Sequence, residues 1–239
     1  MKGCLKICGG RMTEKFPLLD EIDYSQLKNV IEKYNSESSF QQPDGDPLYL
    51  EMIGRRDIWE SLNAISLNQV INIVLKFLNK WKCRIPYDCA RKLQLALREA
   101  HELFQLLKNM KLETVNFDET IVEGKKVKDI IKDIFDVVSS VKAGKRTLGF
   151  TATTKIMHMV VPDLFVMCDE YIREEYGCAA NSEGYLIFLS RMQKSIQRLI
   201  RERPKNVICQ ELHNERRSLT KILDEYNYYT ITWQKRHLS

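Results

Sequence analysis

The stretch GKRTLGFTATTKIMHMVVPDLFVMCDEYIR, Gly144 to Arg173, holds the densest run of position-specific signals in the chain. Leu148-Gly149-Phe150-Thr151 reads as a tight turn between two helices, with Gly149 suited to a positive φ that other residues resist. Thr153 to Met159 reads as a short helix, with Ile156 and Met159 or Val160 on one face. Val161-Pro162-Asp163 ends it, because Pro162 has no N–H to donate and restricts the residue before it. Leu164 to Cys168 then form an apolar lead-in that delivers one carboxylate, Asp169, to the start of the next helix, Glu170 to Tyr176.

Two readings of Asp169 stand side by side. Asp is among the commonest N-caps. A carboxylate on a buried approach, held by a helix dipole, is also a plausible reactive group, since apolar surroundings raise the cost of its charge.

Outward from this segment the pattern is helical. Upstream, Val127, Ile130, Ile131, Ile134 and Val138 mark a helix from Lys126 to Val141. Leu67, Val70, Ile71, Val74, Leu78 and Trp81 mark one from Ser66 to Trp81, and Ala90, Leu93, Leu97, Ala100, Phe104 and Leu107 mark one from Tyr87 to Met110. Downstream, Tyr185, Phe188, Leu189, Met192, Ile196 and Leu199 predict a helix over 185–203, ended by Pro204. A last helix is predicted over 207–226. An aromatic tail to Trp233 then either adds a short strand or packs on the core, with a disordered Lys235-Arg236-His237 after it. Residues 35–47, rich in turn formers and holding two prolines, read as a linker. The predicted organisation is an N-terminal appendage and linker over 1–47 and a helical domain over 48–239, with the hairpin-like segment at 144–176. The predicted fold class is all-α with many helices.

The chain has 239 residues, 44% hydrophobic and 29% charged, enough for a sizeable core. A net charge of +5 permits a polyanionic partner without demanding one. Seven cysteines, at 4, 8, 83, 89, 168, 178 and 209, with no secretory signal, lead us to expect free thiols in a reducing cytoplasm. No run approaches the length of a membrane-spanning helix, so no membrane partner is expected. The oligomeric state is open. Cys4-x3-Cys8 with Cys83-x5-Cys89 would make a four-thiolate site only if the N-terminus folded back, and neither spacing is that of a zinc ribbon, so no metal is expected. Nucleotide-hydrolase, zinc-peptidase, Gly-x-Ser-x-Gly hydrolase and dinucleotide fingerprints are absent. His158 is better read as a hydrogen-bonded structural histidine than as a ligand. Lys142, Lys145 and Arg146 surround Gly144 just before the turn. They are either a solvated loop or phosphate contacts beside turn amides.

A helix, a Gly-containing turn, a second helix, a Pro-marked loop and an apolar-Asp-helix unit together resemble the helix-hairpin-helix DNA glycosylases, the endonuclease III-like superfamily. The resemblance covers roughly residues 126–178. It implies duplex DNA as partner, with Leu148, Gly149, Phe150 and Thr151 as the phosphate-holding hairpin and Asp169 as the carboxylate serving a flipped nucleotide. The departures are specific. The hairpin lacks its Pro and has Thr151 where a second Gly belongs. The position of a lysine nucleophile falls on Thr153, Lys155 lies further into the helix, and the spacing from hairpin to Asp is shorter by a couple of residues. The resemblance therefore implies at most a monofunctional N-glycosylase without a lysine nucleophile. Thr153, Lys155, His158 and Tyr171 are candidate pocket residues, with Trp81 and Phe165 as further aromatics. No iron–sulfur cluster is implied, because only Cys178 and Cys209 lie near the C-terminus, so no cofactor is expected. The segment is also similar to uncharacterised prokaryotic proteins with a Ser/Thr-Lys-apolar-apolar-His pattern followed by Pro-Asp-Leu-Phe. The alternative function is a non-catalytic module that keeps the fold to bind nucleic acid or protein.

Overall fold

Helix starts are set by side chains that satisfy the first orphan amides. Asp23 accepts from Gln26 N (2.9 Å) while the Gln26 side chain accepts from Asp23 N (3.0 Å), a reciprocal capping box. Ser66 and Gln69 repeat it. Asp169, Asn181 and Ser218 each accept from the amide three residues on.

The structure, a computed structural model, describes residues 7–8, 11–12, 16–212 and 218–237. It begins with β1 (Ile7–Cys8) and β2 (Arg11–Met12), followed by α1 (Tyr24–Ser36), α2 (Asp46–Ile53), α3 (Arg56–Trp59), α4 (Leu67–Gln69) and α5 (Lys76–Lys80). Next come α6 (Ala90–Glu99), α7 (His101–Leu107), β3 (Thr120–Val122), β4 (Lys125–Lys126) and α8 (Val127–Ser139). Then follow β5 (Lys142–Ala143), β6 (Arg146–Thr147), α9 (Phe150–Val160), α10 (Glu170–Glu175) and α11 (Ser182–Glu202). Last are α12 (Lys205–Glu211), α13 (Leu219–Asn227) and α14 (Gln234–His237). Among the described residues the strands pair only as separate two-stranded antiparallel ribbons, and the fold class is all-α.

The apolar stripe of α8 is wholly inside: Val127, Ile130, Ile131, Ile134 and Val138 are all at 0% exposure. Each contributes about 2 kcal/mol of gross burial energy before the entropy of ordering is subtracted. The helix packs on α6, α7, α9 and α11, which places the segment from Gly144 onward against the centre of the molecule. Leu19, Leu27 and Ile31 belong to the same buried cluster as Ile134, Phe188 and Ile222, and α1 packs along α13.

Several boundaries differ from the sequence reading. The 66–81 helix is one rod whose middle, Val70–Leu75, is wound as a π-helix. The 87–110 helix breaks at Ala100, where ψ of −10° tightens the turn. The predicted 207–226 helix is two, α12 and α13, and residues between them lie outside the described set. The aromatic tail forms no strand. Tyr228–Trp233 is wound as a π-helix, with Tyr229 stacked on Trp233 at 5.2 Å. Lys235 to His237 are helical because Lys235 pairs with Glu175 (3.0 Å) and His237 stacks on Trp233 (4.9 Å). Arg191 and Arg198 of α11 are half-buried. They hold the turn at Leu19–Asp20, Arg191 through the Asp20 carboxylate (2.6 Å) and Arg198 through backbone carbonyls.

Candidate functional site

The turn between α8 and α9 is a β-hairpin. Lys142 pairs with Thr147 and Ala143 with Arg146. Gly144 has φ of 63°, and positive φ at the first central residue alone is the pattern of a type II′ turn. Ala143 and Leu148 are buried and anchor the ribbon, while Lys142, Lys145, Arg146 and Thr147 are exposed. Among the described residues, no carboxylate lies within ion-pair distance of Lys142, Lys145 or Arg146. The hairpin thus presents three cations with no counter-charge among the described residues, on a ribbon tied down by Leu148 N donating to Val141 O (2.8 Å).

Gly149 sits at φ 81°, ψ 174°, a region that glycine alone occupies without strain, and opens α9. Phe150 turns inward and meets Phe135 (5.4 Å) and Tyr185 (5.8 Å). Leu148 and Phe150 are therefore anchors, and the amides at the start of α9 and the half-buried Thr151 adjoin the cationic ribbon.

Asp169 caps α10. One carboxylate oxygen accepts from Ile172 N (3.0 Å) and the other from the Thr232 hydroxyl (2.8 Å). Thr232 is fully buried, and the π-helical winding of its segment supplies this contact. The carboxylate also adds to the burial that raises the Tyr228 phenol above its ordinary range.

The other candidates are not brought to one pocket. Thr153 is fully buried, its hydroxyl donating to Gly149 O (2.8 Å). Its neighbour Thr154 clasps Cys168, accepting from its N–H (3.1 Å) and donating to its carbonyl (3.0 Å). Lys155 donates to Trp81 O (3.0 Å) and lies over the Trp81 ring (5.2 Å). His158 is fully buried between Phe165 O (2.6 Å from Nδ1) and the Tyr49 hydroxyl (3.1 Å from Nε2). The carbonyl can only accept, so Nδ1 carries the proton and Nε2 accepts from Tyr49. Burial lowers the His158 pKa to about 3, against the carbonyl bond that raises it. Tyr171 is on the surface beneath Lys235 (5.7 Å) and Arg236 (5.8 Å).

A buried ionic cluster on α13 was not legible in the sequence. Lys221 is 3% exposed and pairs with Asp224 (2.8 Å) and Glu225 (3.6 Å). Its ammonium also lies over the rings of Tyr49 (5.0 Å), Trp81 (5.8 Å) and Tyr34 (5.9 Å). Burial pulls its pKa down, but Asp224, Glu225 and Asp46 outweigh that and hold it well above the ordinary lysine value. The i, i+3 and i+4 spacing of Lys221, Asp224 and Glu225 is also that of ordinary surface ion pairs on a helix. The available signal was the apolar residues on the rest of the same helix, Ile222, Leu223 and Tyr226.

Cys83, Cys89, Cys168, Cys178 and Cys209 are free thiols, and burial raises the Cys89, Cys168, Cys178 and Cys209 values. Among the described residues, no three His, Cys, Asp or Glu side chains are grouped to hold a metal ion. The Cys4 and Cys8 side chains lie outside the described residues. No helix among the described residues is long and apolar enough to cross a membrane. No protein-family model, curated protein or solved structure matches this chain.

Proposed function

We propose that this chain is a non-catalytic helical module that binds double-stranded DNA through the β5–β6 hairpin and the start of α9. The observation that carries the reading is the set of Lys142, Lys145 and Arg146, exposed and without carboxylate partners among the described residues, on an anchored ribbon beside helix-start amides. Cations and N-terminal amides on one anchored turn are groups that hold backbone phosphates, and such contacts carry no base information, so binding is weakly sequence-dependent. In this reading Asp169 is a structural cap whose two oxygens are committed to Ile172 and Thr232. The free thiols support a reducing, cytoplasmic setting.

The second reading, a monofunctional N-glycosylase of helix-hairpin-helix type acting on a damaged base, is favoured by one feature: Asp169 stands at a helix start downstream of the Gly149 turn. There the carboxylate would stabilise positive charge developing on the sugar. One experiment separates the two. Duplexes carrying a panel of damaged bases are incubated with the protein, and both retention and alkaline strand cleavage are scored. Binding without cleavage on any duplex, lost when Lys142, Lys145 and Arg146 are replaced by Ala, is the expected result. Cleavage that disappears in Asp169→Asn would establish the glycosylase instead, and binding unchanged by the triple substitution would remove the hairpin from the site.

A further inference from the structure

The loop that follows α5 is strained and basic. Lys82 and Arg84 have φ of 61° and 55°, the left-handed region that glycine fills without strain. Lys82 occupies the closing position of a Schellman motif, with Cys83 N donating to Leu78 O (2.9 Å) and Lys82 N to Asn79 O (3.0 Å). The usual occupant there is glycine. Arg84 repeats the strain in a loop clasped by Asn79, whose amide bonds both Ile85 N (2.6 Å) and Ile85 O (2.8 Å). Lys82 and Arg84 are exposed, and neither has an ion-pair partner among the described residues. Strain of this kind, kept where a glycine would relieve it, collects at ligand-holding loops.

This loop adjoins the hairpin. The turn at Tyr87–Cys89 packs against β5, and a Cβ added at Gly144 would lie 3.6 Å from Pro86 Cγ. Tyr87 stands at this junction with 50% of its surface exposed and no aromatic neighbour among the described residues. A solitary exposed aromatic is ordinary on a protein surface. This one follows Lys82 and Arg84 in the same exposed loop and belongs to the turn that packs against β5, the strand that leads into the hairpin cations. The exposed carboxylate of the segment is Asp88. In a fully paired duplex the base faces are hidden by stacking, so a flat ring among phosphate-binding cations has a partner only where a base is unpaired.

We infer that the 82–87 loop and the β5–β6 hairpin form one bipartite surface for duplex DNA interrupted by an unpaired nucleotide. The cations hold the backbone on either side, and Tyr87 stacks on the unpaired base. This rests on DNA binding by the hairpin. The test measures fluorescence anisotropy of the full chain with a paired duplex and with the same duplex carrying one extrahelical 2-aminopurine. The parent binds the interrupted duplex about tenfold more tightly and quenches the 2-aminopurine. Tyr87→Ala loses that preference with paired-duplex affinity unchanged, and Tyr87→Phe keeps it. The Lys82→Gly, Arg84→Gly double variant melts at a higher temperature and binds both duplexes more weakly. Equal parental affinity for the two duplexes, or a preference that survives Tyr87→Ala, overturns the inference while hairpin binding stands. Glycine variants that bind as the parent does remove the loop from the surface. A parent that binds neither duplex overturns the inference and the DNA-binding proposal together.

Discussion

Replacing Asp169 by Ala separates a cap from a reactive group, because the structure commits both carboxylate oxygens. Loss of the bond from Ile172 N removes an N-cap, a cost of about 1 kcal/mol. Loss of the bond from Thr232 leaves a fully buried hydroxyl without its acceptor, a further cost of about 1–3 kcal/mol. The sum is about 2–4 kcal/mol, which for a chain of this size lowers the melting temperature by about 4–16 °C. Differential scanning calorimetry of Asp169→Ala, Thr232→Val and the double variant measures it. Removing both partners relieves the orphaned hydroxyl, so Thr232→Val is destabilising in the parent and nearly neutral in the Asp169→Ala background. Asp169→Asn keeps an acceptor for Ile172 N and leaves DNA affinity unchanged. An Asp169→Ala variant within about 0.5 kcal/mol of the parent, additive with Thr232→Val, would refute the assignment of Asp169 as a cap tied to the π-helical segment.

Two further perturbations follow from buried titratable groups. His158 has its pKa lowered from 6.5 to about 3, so the unfolded chain binds the extra proton between those values. Its contribution to stability is whole above pH 6.5 and is lost as pH falls toward 3, with a limiting slope of about 1.4 kcal/mol per pH unit. His158→Gln should therefore flatten the acid limb of a melting-temperature profile, and an unchanged limb would show that His158 is not the group responsible. Lys221→Met removes the buried ammonium that pairs with Asp224 and Glu225 and should cost about 3–5 kcal/mol in urea unfolding. A loss under about 1 kcal/mol would mean that the cluster is not desolvated in solution.

The fold class was legible because its evidence is periodic. The α8 stripe, the α11 stripe and the punctuation by Gly149, Pro162 and Pro204 all act within a few residues of chain. The start of α10 at Asp169 was legible for the same local reason. What the sequence hid depends on distant partners. Thr232 meets Asp169 from the far end of the chain through a π-helical turn that no periodicity announces. Lys221 looks solvated until Tyr34, Tyr49 and Trp81 close over it from α1, α2 and the end of α5. Lys155 and His158 share one helix, yet one caps the Trp81 carbonyl and the other is sealed between Tyr49 and Phe165. Their nearness in sequence therefore did not make a pocket. The cations of the hairpin were found from sequence. That no described carboxylate pairs with them was not, since that depends on what the fold brings alongside.

The salt dependence of DNA binding tests the central claim most directly. Affinity for a paired duplex is measured across a series of salt concentrations for the parent and for the Lys142→Ala, Lys145→Ala, Arg146→Ala variant. Each phosphate neutralised contributes about 0.9 to the slope of log K against log salt, so the parent's slope should be steeper by about 2.7. Superimposable slopes, with the parent and variant binding equally at low salt, would contradict the assignment of the hairpin as the DNA-binding surface.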